Sequence, residues 1–139
     1  MTERRKKILL VEDQELLRKA FATALKRKGY EVSTAVDGMD ALEKIREVRP
    51  DLVFLDILMP RMTGAEVLEH LKNDPTLPKC KVIITSNSSI DLDLAEAKRM
   101  GADGMYVKAN HSLSELCEQA ERFLKQAEEN ESHEKDIAG

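Results

Sequence analysis

Ile8-Leu9-Leu10-Val11-Glu12-Asp13 reads as a strand buried on both faces that ends in two carboxylates. A continuous aliphatic run of this kind belongs in the middle of a parallel sheet, where helices cover both sides. The pattern recurs in Leu52-Val53-Phe54-Leu55-Asp56 and in Val82-Ile83-Ile84-Thr85-Ser86. A shorter run, Met105-Tyr106-Val107, leads into Lys108, while residues 30–36 alternate apolar with polar side chains as an edge strand does. Acidic, hydroxyl and basic groups from separate segments are therefore gathered at one edge of a sheet, which is where α/β proteins place their chemistry.

Helical patterns fill the intervals. Leu17, Ala20, Phe21, Ala24 and Leu25 share one face, and Ala41, Leu42, Ile45 and Val48 another. Thr63-Gly64-Ala65-Glu66 and Ser112-Leu113-Ser114-Glu115 are capping boxes, in which a hydroxyl and a carboxylate satisfy free backbone amides, and they open the third and fifth helices. The fourth helix is expected over residues 90–100, with Gly101 ending it. The apolar stripe of the fifth stops near residue 127, and the acidic stretch 128–139 is expected to be a disordered tail. Strict β-α alternation with right-handed crossovers predicts a three-layer α/β sandwich. An edge-like second strand suits the order 2-1-3-4-5, whose crevice lies between the first and third strands.

The chain divides into a basic arm at residues 1–5, one domain at 6–127 and the tail. Lys and Arg number 22 against 26 Asp and Glu, a net charge of −4, so nothing in the balance asks for direct contact with nucleic acid or an acidic membrane. Arg4, Arg5, Lys6 and Lys7 form a solvated arm. Cys80 and Cys117 lack any ligand or redox spacing and fit reduced cytoplasmic thiols. His70, His111 and His133 are scattered among charged residues as surface histidines. No stretch has the length of a membrane span.

Glu12, Asp13 and Asp56 would meet in the crevice, and their mutual repulsion calls for a compensating charge. A divalent cation supplies it. Oxygen-only ligands favour Mg²⁺, which also accepts phosphate oxygens as ligands.

Ile8 to Asp13, Gly29-Tyr30-Glu31-Val32, Asp37-Gly38, the run from Pro50 through Asp56 to Pro60, Gly64, Thr85-Ser86, Gly101-Ala102 and Lys108 together resemble the receiver domain of two-component response regulators. The resemblance covers residues 5–127 and rests on order and spacing rather than on any one piece. It implies a flavodoxin-like fold of five parallel strands and five helices. It further implies that Asp56 accepts a phosphoryl group from a histidine kinase or histidine phosphotransfer protein. Asp13, Asp56 and the Leu58 carbonyl would bind Mg²⁺ directly and Glu12 through water, while Lys108 and Thr85 would contact the phosphoryl oxygens. The family is not an enzyme class, although its members promote their own phosphorylation and dephosphorylation. With no output domain in the sequence, the signal would leave through the helix 4, strand 5, helix 5 face to a downstream protein, or to a second copy in a phosphorylation-dependent homodimer.

Found alone, Asp13 would be an ordinary helix N-cap and Thr85 an ordinary strand residue; their joint occurrence with Asp56 and Lys108 reverses that. Two positions depart from the family pattern. Ala109 stands where a cis-proline usually follows the lysine, and since a cis bond before a non-proline costs ~3 kcal/mol, a trans Lys108-Ala109 bond is expected. Met105 stands where an aromatic switch residue is common, and Tyr106, one place on, faces the other way. A flexible thioether can fill a vacated gap, so Met105 predicts weakened coupling between Thr85 and strand 5. Leu58 and Asn87 flank the expected path of hydrolytic water, and apolar Leu58 would slow dephosphorylation. Three rivals fare worse. A haloacid-dehalogenase-like phosphatase needs a second acid where Leu58 stands, and a flavodoxin-like cofactor carrier needs a phosphate cradle where Glu12-Asp13-Gln14 carries negative charge. A phosphorylation-independent receiver-like adaptor would have little use for the retained acids and Lys108, but Ala109 and Met105 leave it standing as the alternative.

Overall fold

The computed structural model describes residues 4–59, 61–87, 94–109 and 112–138. Strands and helices alternate as β1 (Lys7–Val11), α1 (Glu15–Arg27), β2 (Glu31–Ala35), α2 (Gly38–Val48), β3 (Leu52–Asp56), α3 (Gly64–Asn73), β4 (Lys81–Ser86), α4 (Leu94–Arg99), β5 (Gly104–Val107) and α5 (Leu113–Ala138). The sheet is parallel throughout, in the order β2-β1-β3-β4-β5, as expected from the alternation. Parallel pairing buries β3 completely, and this is why its sequence is apolar without a break.

Side-chain alternation splits the core into two layers. Leu9, Val11, Val53, Leu55, Val82 and Ile84 meet α2, α3 and α4 on one face. On the other face Ile8, Leu10, Leu52, Phe54, Ile83 and Tyr106 meet α1 and α5. Each fully buried large side chain contributes about 1.5–3 kcal/mol relative to exposure, so the two layers carry most of the folding energy.

Local signals behave as their chemistry demands. The Thr63 hydroxyl accepts from the Glu66 amide at 3.2 Å and the Ser112 hydroxyl from the Glu115 amide at 3.3 Å, opening α3 and α5 at the predicted caps. Gly101, at φ 106°, ends α4 in the left-handed region that its missing Cβ makes accessible. The expected start of that helix, residues 90–93, lies outside the described residues. Gly64 has a different reason to be glycine: a Cβ there would come within 2.5 Å of the Asp56 carbonyl oxygen, so α3 can lie against the end of β3 only without one.

One boundary needs correction. The helix expected to end near residue 127 runs on to Ala138, so residues 128–138, read as part of a disordered tail, are helical backbone. The apolar stripe does stop in the sequence, but the Glu, Lys and Ala residues of this stretch are good helix formers, and extending a helix already nucleated costs far less than starting one. A Lys6–Glu128 ion pair at 3.0 Å joins this extension to the arm before β1.

Candidate functional site

The carboxyl ends of β1, β3, β4 and β5 converge. β1 pairs with β3 from Ile8 against Leu52 to Val11 against Leu55, so Glu12 and Asp56 each continue beyond the same rung. The Glu12 amide extends the ladder by donating to the Ala35 carbonyl at 3.0 Å, which fixes where its side chain leaves the strand. Glu12 and Asp56 are buried and Asp13 is exposed; one oxygen from each of the three carboxylates lies within 4.8 Å of the others. Asp13 does not cap α1, whose N-cap is Gln14, so its side chain is left to the crevice.

Lys108 reaches this cluster from the end of β5. Its amide donates to the Ser86 carbonyl at 2.7 Å, continuing the β4–β5 ladder, and no peptide bond among the described residues is cis, Lys108-Ala109 included. The ammonium lies between Glu12, at 2.5 Å, and Asp56, at 3.0 Å, with its side chain only 7% exposed. Burial works against the charged form, but the hydrogen bonds and charges of Glu12 and Asp56 outweigh it and hold Lys108 above the usual lysine range. Asp56 accepts through both oxygens, Oδ2 from Lys108 and Oδ1 from the Leu58 amide at 3.2 Å. The Glu12 carboxylate also accepts from the Gln14 amide at 3.0 Å, and the Arg18 guanidinium donates to the Glu12 and Asp13 carbonyls. The Glu12 and Asp56 carboxylates are thereby oriented by backbone amides and by Lys108.

Three carboxylates against one ammonium leave the crevice negative. All the donors are oxygens, two are buried, and their spacing suits a small hard cation, so the residues present fit Mg²⁺. Thr85 is in register with Asp56 on β3 and Tyr106 on β5. Ser86, its neighbour, projects to the opposite face, the one occupied by Ile84 and Met105. Sequence reasoning favoured Thr85 and passed over Ser86; strand alternation from Ile84 was the signal that separates the two hydroxyls. Met105 and Tyr106 also part as expected, Met105 against the α2–α3–α4 layer and Tyr106 in the α1–α5 layer.

A further ion pair joins the segments that follow β2 and β3. Asp37 caps α2 by accepting from the Asp40 amide at 2.8 Å and is ion-paired with Arg61, which follows β3 in a left-handed conformation at φ 67°. The Asp40 amide holds the Asp37 carboxyl below its usual range against the opposing effect of burial, and Arg61 adds to the lowering. This pairing fastens the β3–α3 connection to the start of α2.

Residues 8–121 match the response regulator receiver domain family. The chain is 34% identical over 110 residues to protein PilG of Pseudomonas aeruginosa, covering 79% of this chain and 81% of that protein. It is 34% identical over 119 residues to the polar-differentiation response regulator DivK of Brucella anthropi, covering 86% and 96%. The crystal structure of chemotaxis protein CheY4 of Vibrio cholerae superposes with a TM-score of 0.78 at 29% identity, covering 86% of this chain and 99% of that one. The chain spans less than half the length of several transcriptional regulators that it matches.

Proposed function

Because the chain belongs to the response regulator receiver domain family, whose members are signalling modules, we propose that it accepts a phosphoryl group on Asp56 and signals by phosphorylation-dependent protein binding. The observation that carries this reading is Asp56 at a strand end, paired with the Lys108 ammonium at 3.0 Å beside two further carboxylates. An Asp56 oxygen attacks phosphorus while the bond to the donor's leaving group breaks, forming an acyl phosphate on the side chain. Lys108 neutralises charge that accumulates on the phosphoryl oxygens, and Thr85, in register beside Asp56, donates its hydroxyl to one of them. Ser86, on the Met105 face, is the hydroxyl placed to pass a change toward β5.

Glu12, Asp13, Asp56 and the Leu58 carbonyl would hold Mg²⁺. When bound it supplies further positive charge to the phosphoryl oxygens.

The donor would be a histidine kinase or histidine phosphotransfer protein. Leu16, 85% exposed in the first turn of α1, Leu58, 60% exposed after β3, and Met39, 58% exposed at the start of α2, surround the crevice with apolar surface against which such a partner can pack. The downstream target is a protein that reads the α4–β5–α5 face. Two free thiols suit a cytoplasmic setting for this exchange, and no described helix is long and apolar enough to cross a membrane.

Borohydride reduction after incubation with acetyl phosphate and Mg²⁺ tests the assignment. It converts an aspartyl phosphate to homoserine, and peptide mapping should find homoserine at position 56; finding it at another aspartate, or at none, overturns the proposal.

A further inference from the structure

Lys108 must be aimed across the crevice by a turn that has no proline to stiffen it, since Ala109 restricts neither φ nor the peptide bond. The structure offers another restraint. Tyr106 lies on β5, two residues before Lys108, and is 1% exposed. Its ring packs edge-on against Phe21 of α1, with centroids 5.9 Å apart and planes at 88°, which fixes the ring in the α1–α5 layer. A phenol buried this deeply requires an acceptor, and Tyr106 donates to the Ser112 carbonyl at 2.9 Å.

Ser112 is itself immobilised. Its hydroxyl caps α5 through the Glu115 amide, and its carbonyl also accepts the Leu116 amide at 3.2 Å. The Tyr106 phenol therefore ties the first turn of α5 to β5, on either side of the turn that carries Lys108. On the other side, the Lys108 amide is held by Ser86 of β4.

We propose that Tyr106 is the positioning residue for Lys108, its hydrogen bond to the start of α5 holding the turn so that the ammonium stays between Glu12 and Asp56. The Tyr106 hydroxyl is given to the Ser112 carbonyl, so Tyr106 acts through the backbone of the turn. The inference rests on the proposed phosphoryl chemistry for its functional meaning, but the placement of Lys108 can be measured without that chemistry.

Tyr106→Phe removes the hydroxyl and keeps the ring against Phe21. Acylation of the full-length protein with an N-hydroxysuccinimide ester, read lysine by lysine by mass spectrometry, reports whether Lys108 is still sequestered. Losing one hydrogen bond that holds the turn should speed labelling of Lys108 about fivefold, with the other lysines unchanged. Phe21→Leu provides the contrast: it weakens packing but keeps the phenol, so it should lower the melting temperature and leave Lys108 protected. Equal labelling of Lys108 in Tyr106→Phe and the parent protein overturns the inference, and so does equal release by Phe21→Leu, which would assign the effect to lost stability. If Asp56 proves not to be phosphorylated while Tyr106→Phe still releases Lys108, the phosphoryl reading falls and the positioning role stands. If Asp56 is phosphorylated and Lys108 labelling does not change, the positioning role alone falls.

Discussion

Lys108 is the residue on which the electrostatics of the crevice turn. Its ammonium occupies the carboxylate oxygens that a divalent cation would use, so the two positive charges compete for Glu12 and Asp56. Lys108→Met should therefore tighten Mg²⁺ binding about tenfold at low salt, measured by calorimetry, while slowing phosphorylation of Asp56. Unchanged or weaker Mg²⁺ binding would contradict this arrangement. The sign of the pH dependence follows from the raised Lys108 value. Stabilisation from the pairing is fully present below the unfolded lysine value of 10.5 and is lost as pH rises through the higher folded one. The stability gap between the parent protein and Lys108→Met should thus stay constant through neutral pH and close only in strong alkali. Leu58 makes a second test at this scale. It is 60% exposed beside Asp56 and offers hydrolytic water no hydrogen bond. Leu58→Asn, with an amide that can orient water, should shorten the lifetime of the phosphorylated state several-fold in a phosphate-release assay; an equal or longer lifetime would refute it.

Among the elements, β4 carries the least obvious assignment. Thr85 and Ser86 are adjacent hydroxyls on opposite faces, and only Ser86 shares the Ile84 and Met105 face. A hydroxyl that links the crevice to that face has to project toward it. Ser86→Ala should abolish the phosphorylation-induced change in Met105 methyl chemical shifts, whereas Thr85→Ala should preserve it; the opposite result would return the coupling role to Thr85. Thr85 was singled out through the family resemblance, yet strand alternation, already used to separate Met105 from Tyr106, also distinguishes it from Ser86. The capping boxes at Thr63 and Ser112 were legible because they are local chemistry, complete within one turn. The Asp37–Arg61 and Tyr106–Ser112 links were not, since each joins segments that only the fold brings together.

At the scale of the molecule, the alternation of buried strands and amphipathic helices made the sheet order readable, because few topologies satisfy right-handed crossovers with one edge-like strand. The length of α5 was not readable in that way. A helix is legible in sequence where it carries an apolar stripe, and the last turns of α5 lie beyond the stripe that ends near residue 127. Truncation after Glu128 retains the Lys6 ion pair and every core residue of α5 among those whose burial is described, so it should shift the melting temperature by no more than about 2–4 °C. A larger loss would show that the extension packs against the domain. Phosphorylation, in turn, would redistribute existing conformations of the α4–β5–α5 face, to which Gln119 already ties the Met105 carbonyl at 3.4 Å.

The most direct test of the account is the intact mass of the protein after incubation with acetyl phosphate and Mg²⁺, beside an Asp56→Asn variant and an EDTA control. One phosphoryl adduct is expected on the parent protein and none in either control. An adduct that survives Asp56→Asn or EDTA, or no adduct with either acetyl phosphate or a phosphorylated histidine phosphotransfer protein when Mg²⁺ is shown to bind, would contradict it and leave a receiver-shaped adaptor that works without phosphorylation.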